Sequence, residues 1–496
     1  SVLERRALLR IAPHLVEPLP IVIPTYGHGI QGKALLGAGF FLYDSLAYDR
    51  NHGLPDPARK IPRSRLLSRQ ECLSLFPDLK KEALTGAGLF YDGQMYNPPR
   101  LVMSFLHSAV QAGAQISNYL EATQFLCKRN QVYGIKALDV LSGDQFEIRG
   151  KMVLNTAGPW AERLLAHGLG LHIAPALTYS RDAAFVVPRR LVGQYALAVQ
   201  GQTKDPDALL SRQKRHLFVV PWRDVTLIGV WHIVYTGNPE AFTVTEKELQ
   251  EFLNEINDAY PAFGLTLQDV SLWNAGLVLF GENQSGSTNL RYGKRSYLVD
   301  HAQEHRVDGL VTLIGVRATT ARGMAAQAID LVSKKLGCKT PKTATAFTPI
   351  YGGQIEDFEA FLRQAIEQRS PSVPAAAMQA LVRNYGSAYR ETLAYCNDDP
   401  TWAETVGTST TLQAQVVHAV QEEMAQKLTD VVLRRTELGT TGHPGEQALQ
   451  ICAELMASQM GWNQQRIQEE LDEVDAAYPL YTQGRNAATP AATELL

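Results

Sequence analysis

Two segments of this chain repeat one design. "MVLNTAGPWAERLL", residues 152–165, and "VTLIGVRATTARGMAAQAID", residues 311–330, each run from an apolar, β-branched strand through a turn into a helix. The first strand ends in the small residues Thr156, Ala157 and Gly158, and its helix begins at Pro159 and Trp160. The second turn carries Gly315 and Arg317, with Thr319 and Thr320 placed to cap a helix starting near Ala321. Small residues let a backbone approach a ligand closely, and a helix N-terminus favours negative charge. Two readings stand on these residues alone. One is a pair of ligand-binding strand ends. The other is an ordinary strand-to-helix turn and a capped helix with a surface arginine.

A third glycine pattern competes with them. "IVIPTYGHGIQGKALLGAGF" holds a G-x-G-x-x-G spacing at Gly27, Gly29 and Gly32. A dinucleotide loop needs a buried strand immediately before its first glycine. Here prolines at 18, 20 and 24 remove ladder donors from the preceding residues. The spacing therefore reads as a loop leading into the helix "KALLGAGFFLYDSLAY".

The first hundred residues read as mostly helical, broken by prolines at 55–63 and at Pro98–Pro99, where the helix "PPRLVMSFLHSAVQAGA" begins. "EATQFLCK", "VYGIKALDV" and "QFEIRGKMVLNTAG" then read as a β-meander returning into a buried strand. Residues 176–300 supply aromatic and β-branched strands, interrupted by a helix over 245–260. From about residue 345 helices dominate. Val417, Val420, Met424, Leu428 and Val431 mark one apolar stripe closed by Gly439, and the acidic run 468–474 reads as a solvated helix face. The last residues carry no periodicity and are expected to be disordered.

Charge and motif content exclude several classes. Lysine plus arginine number 47 against 50 acidic residues, so no global basic field recruits nucleic acid. The five cysteines are widely spaced without a C-x-x-C, which fits a reducing compartment and no metal centre. There is no apolar run of about 18 residues to span a membrane. H-E-x-x-H, G-x-S-x-G and Walker-type motifs are missing. The opening "SVLERRALLRIAPHL" reads as an amphipathic helix beginning at serine, so a processed or incomplete N-terminus is expected. His232, within the apolar run "VWHIVY", is either a satisfied core histidine or a catalytic one.

The order of these motifs resembles the FAD-dependent glycerol-3-phosphate dehydrogenases of the respiratory type, within the D-amino-acid-oxidase-like flavoproteins. The matching stretches are "ERRALLRIAPHLVEPLPIVIPTYG", "YDGQMYNPPRLVMSFLHSAVQAGA", "VLNTAGPW", "PWRDVTLIG", "GVRATTARGMAAQAID", "EEMAQKLTDVVLRRTELG" and "ICAELMASQMGW". The resemblance implies a Rossmann-like α/β FAD-binding domain, incomplete at its N-terminus, over 1–175 plus 296–340. It further implies a mixed β-sheet substrate domain over 176–295, an all-α C-terminal domain over 345–482 and a tail over 483–496. It implies that the family's glycine-rich loop lies upstream of this sequence, making the glycines at 27–32 a decoy.

By position, Thr156, Ala157, Gly158, Pro159, Trp160, Gly315, Thr319 and Thr320 are the implied FAD-binding residues, with Arg317 catalytic; His232 is the second catalytic candidate, from its place in the apolar run and not from the resemblance. A reduced flavin carries negative charge that a helix end plus Arg317 stabilises. Arg317 stands where the family usually has lysine, and guanidinium does not shuttle protons as lysine can. Two further departures concern the substrate: Val278 stands at the family's substrate arginine and Ala184 at its histidine. The implied chemistry is hydride transfer from a hydroxyl-bearing carbon of a small molecule to flavin, with quinone or oxygen as acceptor. The implied location is cytoplasmic, peripheral on the inner face of the membrane. A divergent oxidase of a non-phosphorylated alcohol or an amine, and a non-catalytic remnant without FAD, are the rival readings.

Overall fold

The computed structural model describes residues 2–27, 32–173, 178–201, 216–235, 237–280, 296–339 and 341–481. The tail over 483–496 and Gly29 of the glycine spacing lie outside these residues. Among these residues fourteen strands follow in chain order: β1 (Val16–Tyr26), β2 (Arg65–Ser68), β3 (Leu84–Met95), β4 (Leu120–Lys128), β5 (Gln131–Asp139), β6 (Gln145–Arg149) and β7 (Val153–Asn155). After them come β8 (Thr178–Val187), β9 (Ala196–Gln200), β10 (His216–Trp222), β11 (Val225–Tyr235), β12 (Leu272–Phe280), β13 (Tyr297–Asp300) and β14 (Leu310–Ile314).

They build an eight-stranded sheet of order β12-β8-β11-β10-β9-β1-β3-β2 and two three-stranded sheets, β13-β14-β7 and β4-β5-β6. The last is the expected meander. The large sheet packs Phe185 and Trp231 against Phe252 of the Glu246–Ala259 helix, and that helix starts with a capping box between Thr245 and Glu248. Helices from Phe358 to Ala476 form the C-terminal region, whose core closes over Trp222, Val225 and Leu272 at one end of the large sheet.

The structure corrects the reading of the first hundred residues. They contribute β1, β2 and β3 to the large sheet, so residues 16–95 join the strands of 178–280 rather than the flavin-side unit assigned over 1–175. Proline parity explains how β1 tolerates three prolines. Leu15 and Gly27 hydrogen-bond toward β3, so odd-numbered residues of β1 face that neighbour. Pro18, Pro20 and Pro24 are all even, and their missing donors fall on the side where β1 meets β9 at Ile21 and Val22 alone. Gly32 opens the Lys33–Leu46 helix, so strand and helix do flank the glycine spacing, but in the mixed sheet.

The stripe from Val417 to Val431 is not one helix either. The Gln413–Gln421 helix stops, Met424 takes a left-handed φ of 55°, and a short helix Leu428–Asp430 passes into a π-turn Val431–Arg435. Buried Glu423, bound to Arg100, occupies the break. Nor is 468–474 wholly solvated: Glu470 is buried and accepts the Leu428 backbone N–H at 2.7 Å.

The β13-β14-β7 sheet is pinned by a buried histidine. His301, following β13, bonds Thr312 Oγ1 of β14 through Nε2 at 2.8 Å. Burial, with His305 beside it, lowers its pKa from the ordinary 6.5 to about 4. Burial likewise lowers His14 to about 3. Between pH 6.5 and these values the unfolded chain binds protons that the folded chain refuses, so stability rises with pH there and is lost as pH falls. The denaturation midpoint is therefore expected to drop from pH 6.5 toward 4, and less steeply in His301→Gln. An unchanged slope in that variant would remove His301 from the account.

Candidate active site

β7 and β14 run parallel, with Val153, Leu154 and Asn155 facing Leu310, Val311 and Thr312. Their C-terminal ends therefore lie side by side, each followed by a 3-10 turn and a helix: Gly158–Trp160 into Ala161–Leu169, and Ala318–Thr320 into Ala321–Lys335. Buried Asn155 staples the first turn, accepting from Ala157 N and donating to Ala161 O, both at 3.2 Å. Gly158 and Gly315 take φ of 55° and 78°, a region other residues enter only at a cost. Among the described residues, no atom outside the neighbouring residues comes within 4 Å of where a Gly158 side chain would begin, so the turn leaves open space above its backbone.

That space is a cavity of about 670 Å³, lined by Thr156, Gly158 and Pro159 from one turn and Gly315, Arg317 and Ala318 from the other. The opposite wall comes from β8, β11 and β12 and includes Tyr179, Asp182, His232 and Val278. Register brings the last three together. His232 faces Asp182 across the β8–β11 pair, and Val278 faces Ser180 across β8–β12. Asp182 Oδ1 accepts from His232 Nδ1 at 2.5 Å and from Ser180 Oγ at 2.6 Å. Because a carboxylate only accepts, Nδ1 carries a proton in this pair. Tyr179 brings a buried hydroxyl without a hydrogen-bond partner among the described residues, its pKa raised to about 12 chiefly by burial.

Of the residues expected from sequence, Thr156, Gly158, Pro159, Gly315, Arg317 and His232 meet at this cavity. Ala157, Trp160, Thr319 and Thr320 are not among its lining residues. The expected threonine cap does not form: Thr320 Oγ1 turns back to the Arg317 carbonyl at 3.2 Å, and the Ala321–Lys335 helix has no side-chain cap. Its first N–H groups are thus not satisfied by a cap, which suits a polar or anionic ligand. Ala184 lies two residues beyond Asp182, where its Cβ packs against Gly229. Sequence reasoning passed over Tyr179, Ser180 and Asp182. The readable signal was the alternation Ser180-x-Asp182, one polar face in an apolar strand.

Similarity to known proteins agrees with this geometry. Residues 40–311 match the family described as FAD dependent oxidoreductase, and residues 343–467 match the C-terminal domain of alpha-glycerophosphate oxidase. The chain is 30% identical over 482 residues to a glycerol-3-phosphate dehydrogenase of Synechocystis, covering 95% of this chain and 83% of that protein. It is 25% identical over 526 residues to an alpha-glycerophosphate oxidase of Lactococcus lactis, covering 95% and 84%. In fold it is similar to the glycerol-3-phosphate dehydrogenase of Bacillus halodurans complexed with FAD, with a TM-score of 0.74 and 22% identity over 96% of this chain and 84% of that one.

Proposed function

The chain belongs to the FAD-dependent oxidoreductases of the glycerol-3-phosphate dehydrogenase family, and on that premise we propose that it oxidises the secondary alcohol of glycerol 3-phosphate in the cavity just described. The observation that carries this reading is the convergence of two open, glycine-lined helix entrances and an Asp182–His232 pair on one cavity. Thr156, Gly158, Pro159 and Gly315 are the residues that would hold FAD, and the open backbone at Gly158 leaves room for a ligand to approach. When bound, FAD supplies the two-electron acceptor for the substrate C–H bond.

The chain's own residues do the rest. His232 Nε2 takes the hydroxyl proton as the alcohol becomes a ketone, and Asp182 stabilises the resulting imidazolium while Ser180 fixes the carboxylate. Arg317 pairs with the phosphate. Among the described residues that line the cavity it is the permanently charged cation, and Val278 supplies none.

Steady-state turnover of FAD-loaded protein with glycerol 3-phosphate, glycerol and glycine tests the substrate. The phosphate ester is expected to exceed glycerol in kcat/KM by about 100-fold, the worth of one or two charged hydrogen bonds. Equal use of glycerol, or preference for the amino acid, would overturn the reading. In Arg317→Gln, KM for the phosphate ester is expected to rise roughly 10- to 150-fold, equivalent to about 1.5–3 kcal/mol, with glycerol turnover unchanged. A lowered kcat for both substrates would instead make Arg317 part of the chemistry.

Electrons then leave to quinone or oxygen, and the proposal includes peripheral contact with a membrane for the quinone route. No helix of the described residues is long and apolar enough to cross a bilayer. The Lys33–Leu46 helix supports surface contact: Phe41, Leu46 and nearby Tyr48 are 77%, 76% and 86% exposed, with Lys33 on the helix and Arg63 and Arg65 lining the groove beside it. Co-sedimentation with anionic vesicles is expected for the wild type and is expected to fall in a Phe41→Ser/Leu46→Ser variant. Equal sedimentation of the two would move the contact elsewhere.

A further inference from the structure

A second cavity, of about 600 Å³, lies between the Pro98–Gln111 helix and the helical C-terminal region. His107 reaches it from that helix, His418 from the Gln413–Gln421 helix, and Glu423 stands behind them in the break that follows. His107 Nε2 is 3.2 Å and His418 Nε2 is 3.5 Å from the same oxygen, Glu423 Oε1. We infer that this cluster is a binding site for a divalent transition metal, with His107 Nε2, His418 Nε2 and Glu423 Oε1 as ligands and the cavity side left to water.

Three observations carry it. The first is spacing. Tetrahedral ligands at bond lengths of about 2.1 Å stand about 3.4 Å apart, and the three candidate atoms all lie within 4.8 Å of one another. The second is a buried imidazole with one long contact. His418 is 2% exposed, its Nδ1 has no hydrogen-bond partner among the described residues, and its Nε2 meets Glu423 Oε1 only at ion-pair distance, 3.5 Å. A metal between that nitrogen and that oxygen would replace a long contact by two bonds. The edges of Tyr385 and Tyr395 hold its ring in place, and His107 is stacked on Tyr351 at 4.4 Å, so both imidazoles are oriented before any ion arrives.

The third is charge: Glu423 is fully buried with the Arg100 guanidinium fixed behind it, which leaves its Oε1 facing the two imidazoles. Arg100 Nη1 bonds both carboxylate oxygens at 2.6 Å, the kind of outer support that orients a ligating carboxylate. Its positive charge is offset on the cavity side by Glu391, Asp398 and Glu422. Two imidazoles and one carboxylate suit zinc, cobalt or nickel rather than magnesium or calcium. An ion there ties the Pro98–Gln111 helix to the C-terminal region, away from the flavin-side cavity.

The test is titration of chelator-treated protein with Co²⁺ and Zn²⁺. One equivalent of Co²⁺ is expected to bind with a tetrahedral visible spectrum lacking a thiolate charge-transfer band, and Zn²⁺ is expected to raise the melting temperature. His107→Ala and His418→Ala are each expected to weaken binding at least about 100-fold, the upper end of what losing an outer-shell partner costs, while His443→Ala, at a histidine bonded to Asp475 outside the cluster, leaves it unchanged. The absence of saturable binding in the wild type overturns the proposal. So does unaltered affinity in the His107→Ala/His418→Ala double variant, or a thiolate band, which would assign the ion to exposed Cys127 or Cys338. The wild-type spectrum decides even where a variant fails to fold.

Discussion

Replacing His232 with asparagine is expected to lower kcat by roughly 10²- to 10⁴-fold, the usual worth of a positioned general base, with FAD still bound. The expectation follows from the geometry. Nδ1 is committed to Asp182 at 2.5 Å, and the ring is held on β11 opposite β8, so the proton-accepting role proposed above goes to Nε2. Asparagine preserves a donor toward Asp182 but has no group that accepts a proton near neutral pH. Asp182→Asn acts through the histidine: an amide in place of the carboxylate no longer stabilises the imidazolium, so kcat should fall there as well. A His232→Asn enzyme with near-normal kcat would return that histidine to the role of a satisfied core residue.

The second large effect concerns the join between the α/β part and the helical region. Arg100 and Glu423 are both fully buried, the guanidinium donates to both carboxylate oxygens and to the Arg435 carbonyl, and it stacks over Tyr385 at 4.0 Å. Arg100→Met leaves the Glu423 charge buried without its main partner, at a cost of about 3–5 kcal/mol, read as a lower urea or thermal midpoint. Arg100→Met/Glu423→Leu should recover much of the loss, because removing both charges also removes the burial penalty. A single variant as stable as the wild type would mean that water or rearrangement relieves the carboxylate, and that the join rests on apolar packing.

What could be read in advance follows physical lines. The paired strand-to-helix turns were legible because β-branched runs, small turn residues and helix entrances are local features, and each lies within about fifteen residues. The Glu246–Ala259 helix was legible for the same reason, from Thr245 and its partner Glu248. β1 was not, since three prolines argue against a strand unless one knows which edge their missing donors face. Asp182 was missed because its meaning depends on the register that sets it opposite His232, a contact between strands fifty residues apart. Glu423 and Glu470 were missed because an acidic residue near an apolar stripe reads as surface, and only the distant partners Arg100 and Leu428 N make its burial tolerable. Fold class was carried by local pattern together with the family resemblance, whereas the proposed catalytic pair and the buried charges depend on pairing at a distance.

The central claim, that this cavity takes electrons from glycerol 3-phosphate with His232 accepting the proton, is tested most directly by anaerobic mixing of the FAD-loaded protein with that substrate. The visible absorption of oxidised flavin is expected to bleach fully in the wild type, and far more slowly in His232→Asn. Flavin absorption that persists in the wild type would contradict the claim, as would bleaching at the same rate in both proteins.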